Sequence, residues 1–455
     1  MKKNEIVTLT IEDIGINGEG IGKVMNYPLF IKDAIVGDKI KARVIKAKKN
    51  YGYGRIEEII EPSKDRVVPP CFIAEKCGGC QIQALSYEKQ LEFKYNKVKQ
   101  NLKRIGQVKE EVLDLVMEDI RGMKEPFRYR NKAAYPIGRN KEGKLMAGFY
   151  AGRTHSIIPV EDCLVGQEVN KEILKTILTF MQNHQIEPYN EQTQKGVLRH
   201  VLIRYGEATG EIMVCLIINA KSLKDSDKLV VELQKIAGIK SISLNINREN
   251  TNVIMGEKTL TLWGSPTITD YIGEVKFQIS PKSFYQVNPA QTKVLYDLAL
   301  EMADLSGKET VWDLYCGIGT ISLFLSKKAK MVYGVEIVPQ AIADAKENAR
   351  INQIENAKFF VGKAEEVVPR EQEKYGRAEV IVVDPPRKGL DETLIATMAQ
   401  MSPDRIVYVS CDSATMARDV ALLSEKGYEL KRVVPVDQFP QTVHVETVVL
   451  ITRNI

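Results

Sequence analysis

The sequence predicts a multidomain α/β protein with a small β-barrel first, a central α+β domain next and a Rossmann-like domain last. A chain of 455 residues exceeds one ordinary core. Glycine-punctuated segments with period-two patterning fill the start of the chain, and strands alternate with helices from about residue 281. We therefore expect domains at 1–60, 61–280 and 281–455.

The first domain is predicted from alternating segments such as EIVTLTIEDI and GDKIKARVIKA, which are typical of an OB-like barrel. From Lys39 to Arg55 the chain carries seven positive charges and no negative one. Two interpretations stay open for this run: a solvated face, or a strand pair that faces nucleic acid, with Tyr51 and Tyr53 as aromatic platforms.

The central region mixes strand-like and helical segments. A helix is predicted at 88–105, and strand-like pieces such as EIMVCLIIN alternate with helical ones such as NKEILKTILTFMQNH. This pattern predicts an α+β domain.

Composition narrows the class of protein. The chain is 44% hydrophobic and 27% charged, with a net charge of +5, which is typical of a soluble globular protein. It contains no run of eighteen apolar residues, and MKKNEIVTLT lacks the apolar core of a secretory signal. We therefore expect a cytoplasmic protein. Seven cysteines, an odd number, argue against a disulfide framework.

The segment VWDLYCGIGTISLFL indicates a ligand-binding loop between a strand and a helix. Asp313 follows apolar residues, and Gly317 and Gly319 let the backbone approach a ligand at the helix N-terminus. Ser322 stands where the dinucleotide fingerprint has its third glycine, which disfavours NAD and FAD. Glu336 ends the next strand, where it can accept from the ribose hydroxyls of an adenosyl group.

A stiff turn is predicted in VIVVDPPRKG. Four apolar residues lead into Asp384 and two prolines, which fix φ and remove backbone donors. Asp384 is expected to meet a cationic cofactor or the target base. Together these segments favour a transferase that uses S-adenosylmethionine over a dehydrogenase.

RIVYVSCDSATMARD places Cys411 at the carboxyl end of a strand, where ligands bind in such sheets. A thiolate that adds to C6 of uracil makes C5 nucleophilic, and this chemistry also needs a general base. In the tail QFPQTVHVETVVLITR, Glu446 is the candidate base, because a dry pocket raises a carboxyl pKa. His444 is expected to bond locally, and Cys316 to pack.

The motifs SCDSATMARD, DPPRKG, DLYCGIGT, SFYQVNP and HVETVVLI resemble those of the RNA uracil-C5 methyltransferase family. The resemblance covers the last domain and implies a class I methyltransferase with Cys411 as nucleophile and Glu446 as base. It implies that Phe284 stacks on a flipped base. Phenylalanine is common in the family at position 315, where this chain has another aromatic residue. The implied contacts to S-adenosylmethionine are Gln286, Tyr315, Glu336 and Asp384.

A cysteine group in CFIAEKCGGC has spacing typical of metal ligands: Cys71, Cys77 and Cys80, with Cys163 as the candidate fourth. The residues alone leave zinc and iron–sulfur open. CGGCQIQ resembles the [4Fe–4S] site of the ribosomal RNA members of the family, which also carry a TRAM barrel like residues 1–60. The resemblance therefore implies a [4Fe–4S] cluster with a structural role.

Barrel and cluster together imply 23S rRNA, or an early large-subunit particle, as the substrate, because the transfer-RNA members generally lack both. Some Gram-positive members modify two uridines, so one and two targets both stay open. Two alternatives remain: a tRNA uracil-C5 methyltransferase that keeps a barrel, and an inert RNA-binding assembly factor. The target uridine has to leave any stack to reach the nucleophile. Neither a membrane nor an obligate protein partner is expected.

Overall fold

The computed structural model describes residues 1–152 and 154–454 of the chain. It contains a closed barrel, a seven-stranded central sheet, a two-stranded hairpin and a seven-stranded C-terminal sheet. No helix in this described part of the chain is both long and apolar enough to cross a membrane.

Five strands close the N-terminal barrel in the order β1-β2-β3-β5-β4. Alternate residues such as Leu9, Ile11, Leu29 and Ile31 point inward and are buried, as the period-two pattern predicts. The strands are β1 Ile6–Ile14, β2 Gly20–Val24, β3 Tyr27–Ile31, β4 Lys39–Ala47 and β5 Gly52–Glu61.

The pairing of β4 with β5 changes the interpretation of the basic run. The carboxylates of β5 lie beside the cations of β4, with ion pairs Lys39–Glu61 and Lys41–Glu58 at 2.8 and 2.7 Å. Glu57 likewise pairs with both Arg43 and Arg55. The cations left without a carboxylate partner among the described residues lie at the β4–β5 tip: Lys46, Lys48 and Lys49.

Two helices and a seven-stranded sheet follow. The helices are α1 Tyr87–Arg104 and α2 Glu110–Val116. The sheet runs in the order β12-β11-β10-β9-β6-β7-β8, with α3 and α4 packed against one face through apolar residues such as Ile173 and Leu229. Its elements are β6 Lys132–Arg139, β7 Leu145–Tyr150, β8 Ile157–Pro159, α3 Val169–Asn183, β9 Leu198–Tyr205, β10 Ile212–Ile218, α4 Ser226–Leu233, β11 Ile239–Ile246 and β12 Lys258–Gly264.

The hairpin β13 Ile268–Ile272 and β14 Val275–Ile279 leads into the C-terminal α/β sheet. Its strand order is β17-β16-β15-β18-β19-β21-β20, with β21 antiparallel to both neighbours. The elements are α5 Pro289–Ala303, β15 Thr310–Leu314, α6 Thr320–Leu325, β16 Met331–Glu336, α7 Pro339–Ile351, β17 Ala357–Val361, α8 Ala364–Tyr375, β18 Val380–Val383, α9 Glu392–Met401, β19 Arg405–Ser410, α10 Ser413–Glu425, β20 Tyr428–Val436 and β21 Glu446–Arg453.

The strand order of this sheet reverses between β15 and β18. Crossovers leave the sheet in opposite directions there, which opens a crevice beyond the carboxyl ends of the strands. The strands beside it are buried on both faces, so residues 380–383 are uninterrupted valine and isoleucine.

Helix α1 packs on the C-terminal sheet although it lies far from that sheet in sequence. Val98 and Leu102 are fully buried in the same apolar cluster as Met416 and Val420 of α10. The Asn101 amide also donates to Ser413 Oγ at 2.8 Å. The helix at 88–105 is therefore confirmed, and it is part of the wall behind the C-terminal crevice.

Candidate active site

A cavity of about 1180 Å³ opens at the carboxyl ends of β15, β16, β18 and β19. It brings together predicted site residues that are far apart in sequence. Gly319, the N-cap residue of α6, is not part of the lining. The predicted residues that do line the cavity are Phe284, Gln286, Tyr315, Gly317, Glu336, Asp384, Cys411 and Glu446.

The loop after β15 has a backbone that needs glycine. Gly317 and Gly319 have φ of +55° and +82°, in the left-handed region. A Cβ on Gly319 would lie 3.2 Å from Ala345 Cβ and from the Phe359 ring, so the turn also depends on close packing. Tyr315 adopts a φ of 75° without that freedom, and its ring lines the cavity.

Glu336 ends β16 at the rim of the cavity. Its carboxylate accepts from Gly317 N at 3.3 Å and from Val338 N at 2.9 Å, so backbone donors on both sides fix its orientation. Each carboxylate oxygen has further acceptor capacity, which suits hydroxyl donors such as those of a ribose.

Three acidic groups line the inner part of the cavity. Burial raises the pKa of Asp313 to about 7, that of Asp384 to about 7 and that of Glu446 to about 8. Asp313 Oδ2 accepts from Ser322 Oγ at 2.5 Å, but its Oδ1 is buried without a partner. Across the described ranges, neither Asp384 nor Glu446 has a side-chain hydrogen bond. Such a group of carboxyls suits a cationic ligand.

Cys411 follows β19 and is half-buried at the cavity wall. Asp412 caps α10 by accepting from Ala414 N and Thr415 N, so the donors at this helix end are used by the cap. Burial, reinforced by the Glu446 charge, raises the pKa of the Cys411 thiol to about 12. The thiol is therefore protonated at neutral pH until its surroundings change.

Arg387 is the cation that opposes this effect. It lies in the cavity wall, is exposed, and forms no ion pair with any described residue. Its charge lowers the pKa of both Cys411 and Glu446, against the effect of burial.

The segment with Phe284 and Gln286 forms the cavity mouth. The Phe284 ring is 67% exposed, which leaves its face free for a flat ligand. Asn131 fixes the backbone beside it by donating from Nδ2 to Gln286 O and from N to Val287 O.

Two cavity-lining residues belong to motifs that are visible in the sequence, but no role was predicted for either of them. Asp313 directly precedes the glycine loop, and Arg387 follows the two prolines in DPPRKG. Phe439 also lines the cavity, and nothing in its local sequence marks it. His444 reaches the cavity as well, and burial lowers its pKa to about 4, so it is neutral at physiological pH.

The four predicted metal-ligand cysteines come together near the central sheet. Burial raises the pKa of Cys80 to about 12, and the neighbouring Cys163, Cys77 and Cys71 raise it further. Gly79 N donates to Cys77 Sγ at 3.4 Å. However, no set of three or more histidine, cysteine, aspartate or glutamate side chains in residues 1–152 and 154–454 is arranged to hold a metal ion. The structure therefore does not support the predicted iron–sulfur or zinc site.

The raised thiol pKa predicts slow alkylation of Cys411 by iodoacetamide without ligands. The neutral thiol persists to high pH, so the rate should climb about tenfold per pH unit up to about pH 10. Arg387→Gln should slow alkylation further, because it removes a charge that favours the thiolate, and Lys388→Gln is the matched control. Peptide mass spectrometry measures the rate, and a plateau near about pH 9 would contradict the prediction.

Comparison with known proteins identifies the family. The family described as tRNA (Uracil-5-)-methyltransferase matches residues 86–454, and the TRAM domain family matches residues 2–56. The chain is 51% identical over 452 residues to an uncharacterized RNA methyltransferase of Halalkalibacterium halodurans, covering 99% of this chain and 98% of the relative. It is 50% identical over 454 residues to one of Clostridium acetobutylicum, covering 100% and 98%.

A solved structure has the same architecture. The Pyrococcus abyssi tRNA (uracil-54, C5)-methyltransferase, in complex with S-adenosyl-L-homocysteine, superposes with a TM-score of 0.79 at 27% identity. The match covers 98% of this chain and 100% of the archaeal one. The expected barrel and class I methyltransferase fold are thus confirmed. The chain belongs to the S-adenosylmethionine-dependent RNA (uracil-5-)-methyltransferase family and carries a TRAM domain at its N-terminus.

Proposed function

We propose that this protein methylates C5 of one or more uridines in 23S rRNA through a covalent bond between Cys411 and C6 of the base. The observation that carries the proposal is a single cavity in which the Cys411 thiol and the buried Glu446 carboxyl lie among the acceptors predicted for the cofactor. We further propose a cytoplasmic enzyme with domains at 1–60, 61–280 and 281–455.

S-adenosylmethionine supplies an electrophilic methyl group on a positively charged sulfur. The chain offers Glu336 for the ribose hydroxyls, with the Tyr315 ring beside the adenosine. Gln286 and Asp384 then lie at the cationic end, where the Asp384 carboxyl has no hydrogen-bond or ion-pair partner in residues 1–152 and 154–454. The glycine turn supports this placement because it leaves open space beside Gly317.

The first role of the chain is to make a nucleophile. The Cys411 thiol gives its proton to solvent, and its sulfur forms a bond to C6 of uracil, so that the electrons of the C5–C6 double bond move to C5. Arg387 and a cationic ligand near Asp384 both favour the thiolate, since positive charge lowers a thiol pKa. Phe284 supports the pose by stacking on the unstacked base.

The second role is proton abstraction. Once C5 carries the methyl group, Glu446 takes the C5 proton, the C6–S bond breaks, and the sulfur leaves with the bonding electrons. A carboxyl with a pKa of about 8 is a stronger base than an ordinary glutamate. Because Glu446 acts only when deprotonated, release should slow as pH falls below about 8.

Variants at the two residues should stop the reaction at different points. With 5-fluorouridine RNA and S-adenosylmethionine, the wild-type protein should form an adduct that survives denaturation, and Cys411→Ala should form none. With ordinary uridine RNA, Glu446→Gln should accumulate the adduct, because addition proceeds while elimination is blocked. Its turnover should fall about 10²- to 10⁴-fold, as for a lost general base.

Gel shift and mass spectrometry detect these adducts. Lys388→Gln, which changes an exposed residue of the same turn, is the control and should behave as wild type. A fully active wild-type protein without an adduct would refute the covalent route. A protein with neither adduct nor turnover would instead favour the inert assembly factor.

The barrel supports an RNA substrate at its β4–β5 tip. The rings of Phe30, Tyr51 and Tyr53 lie 5.8 Å apart in each pair, and Lys48 lies over Tyr51 at 5.0 Å. Half-buried rings beside cations that no described carboxylate pairs suit unstacked nucleotides. The tip is thus a smaller surface than the whole basic run.

The preference for 23S rRNA is supported by the resemblance of the barrel and the cysteine group to those of the ribosomal RNA members of the family.

The competing substrate is tRNA, because the solved relative from Pyrococcus abyssi is a tRNA (uracil-54, C5)-methyltransferase. Mapping 5-methyluridine in RNA from cells without this protein decides between them. We expect loss at one or two positions of 23S rRNA, restored by the wild-type gene but not by Cys411→Ala. Loss confined to tRNA would contradict the ribosomal assignment and leave the chemistry intact.

We also propose that Cys71, Cys77, Cys80 and Cys163 bind a [4Fe–4S] cluster. The support comes from the sequence, namely the spacing of these cysteines and the resemblance of CGGCQIQ, since the described residues are not arranged to hold a metal ion. Each thiolate binds a different iron in such a cluster, so the sulfurs need not converge on one atom. Anaerobically purified protein should contain iron and sulfide and absorb blue light, and Cys80→Ala should lose both. Zinc in colourless protein would refute the cluster.

A further inference from the structure

The nine residues Asp437–Val445, between β20 and β21, form a buried loop that leads directly into Glu446. We call them the 437–445 segment. All are buried except Phe439 and His444, which are half-buried and line the cavity. A buried loop has to find partners for its backbone groups outside any regular ladder. The positions of those partners therefore determine the position of Glu446, the first residue of β21.

The strongest of these partners is Lys94 of α1. Its side chain has no exposed surface, and its ammonium donates to Asp437 Oδ1 and, at 3.0 Å, to Phe439 O. The Asp437 side chain is equally buried and accepts from Tyr87 OH at 2.8 Å. The ion pair is thus enclosed, with hydrogen bonds on both members.

The same stripe of α1 bonds to the rest of the segment. Gln90 and Gln441 form a reciprocal pair, in which Gln441 N donates to Gln90 Oε1 at 3.1 Å and Gln90 Nε2 donates to Gln441 Oε1 at 3.0 Å. Lys97 Nζ donates to Val443 O at 2.9 Å. Residues 87, 90, 94 and 97 share one face of the helix, because their spacing follows its period.

A buried ion pair is a poor way to stabilise a fold, because desolvation of both charges offsets their attraction. Apolar contacts already attach α1 to the C-terminal sheet through Val98 and Leu102. The ion pair instead restricts the geometry of the loop. The Asp437 carboxylate and the Phe439 carbonyl both have to lie within hydrogen-bonding distance of the one Lys94 ammonium group. This fixes the entry to the segment.

We propose that Lys94, acting through Asp437, is a positioning residue that sets the conformation of the 437–445 segment and so places the Glu446 carboxyl at the C5 proton. The inference rests on the proposed function, because it assigns Lys94 to the elimination step. Lys94 therefore supports elimination and not methyl transfer, because methyl transfer uses residues on other strands.

The test removes both charges together. Lys94→Met alone would leave Asp437 buried and unpaired, which would destabilise the fold, whereas Lys94→Met with Asp437→Asn leaves no buried charge and keeps an acceptor for Tyr87. The matched control is Lys99→Met with Asp114→Asn, which removes the ion pair of 2.6 Å between Lys99 of α1 and Asp114 of α2, away from the segment.

With a 23S rRNA transcript, we expect the double variant to lose about a hundredfold in kcat, the scale of a small misplacement of a reacting group. Its Tm and its affinity for S-adenosylhomocysteine should match the control. The distinguishing readout is an adduct with ordinary uridine RNA that persists in the double variant, as in Glu446→Gln, and turns over in wild type.

Undiminished kcat in the double variant would overturn the inference while leaving the covalent mechanism in place. A parallel fall in Tm and cofactor affinity would also overturn it, because that result indicates a purely structural role. Absence of any adduct between the wild-type protein and 5-fluorouridine RNA would refute the proposed mechanism, and the inference with it.

Discussion

Desolvation of acidic groups around one cavity is the constraint on which this active site depends. Asp313, Asp384, Glu446 and Cys411 are brought together by neighbouring strands of one sheet, and burial raises the pKa of each. The charge of Asp313 raises the pKa of Asp384 further, and that of Asp384 raises the pKa of Glu446 and Cys411. In a medium of low dielectric constant, such a group favours neutral forms or a cation among them. A ligand with a positive charge meets that demand.

The remainder of the chain supports this cavity from behind. The 437–445 segment contacts α1, α5 and the stretch after the cysteines, where Gln81 N and Ile82 N both donate to Gln441 O. The barrel reaches the same place, since a Cβ on Gly18 would lie 2.8 Å from Gln81 Cβ and 3.2 Å from Val443 Cγ1. The residues before the C-terminal sheet therefore form part of the support for the cavity that contains Glu446.

Local sequence correctly placed residues at the cavity wherever they lie at the end of their own strand. Gly317, Glu336, Asp384 and Cys411 could be located because parallel strands present their carboxyl ends at one edge. Local sequence was a poorer guide to which charged side chains are free, because the pairing of a charge depends on the neighbouring strand. The basic run beginning at Lys39 is largely paired with carboxylates of β5, a cross-strand relation that a sequence does not display. The cysteine spacing likewise indicated ligands, but no metal-binding arrangement is formed among the described residues.

By itself, the sequence determined the barrel, the α/β order of the last domain and the family, and it supplied the candidate reactive groups. Each of these follows from short-range periodicity or from a contiguous motif. Only the tertiary structure decided that Lys94 meets Asp437 across 343 residues and that Arg387, which has no ion-pair partner among the described residues, lines the same cavity as Cys411. The reason is physical: burial and pairing depend on distances between segments, and these distances exist only once the chain has packed.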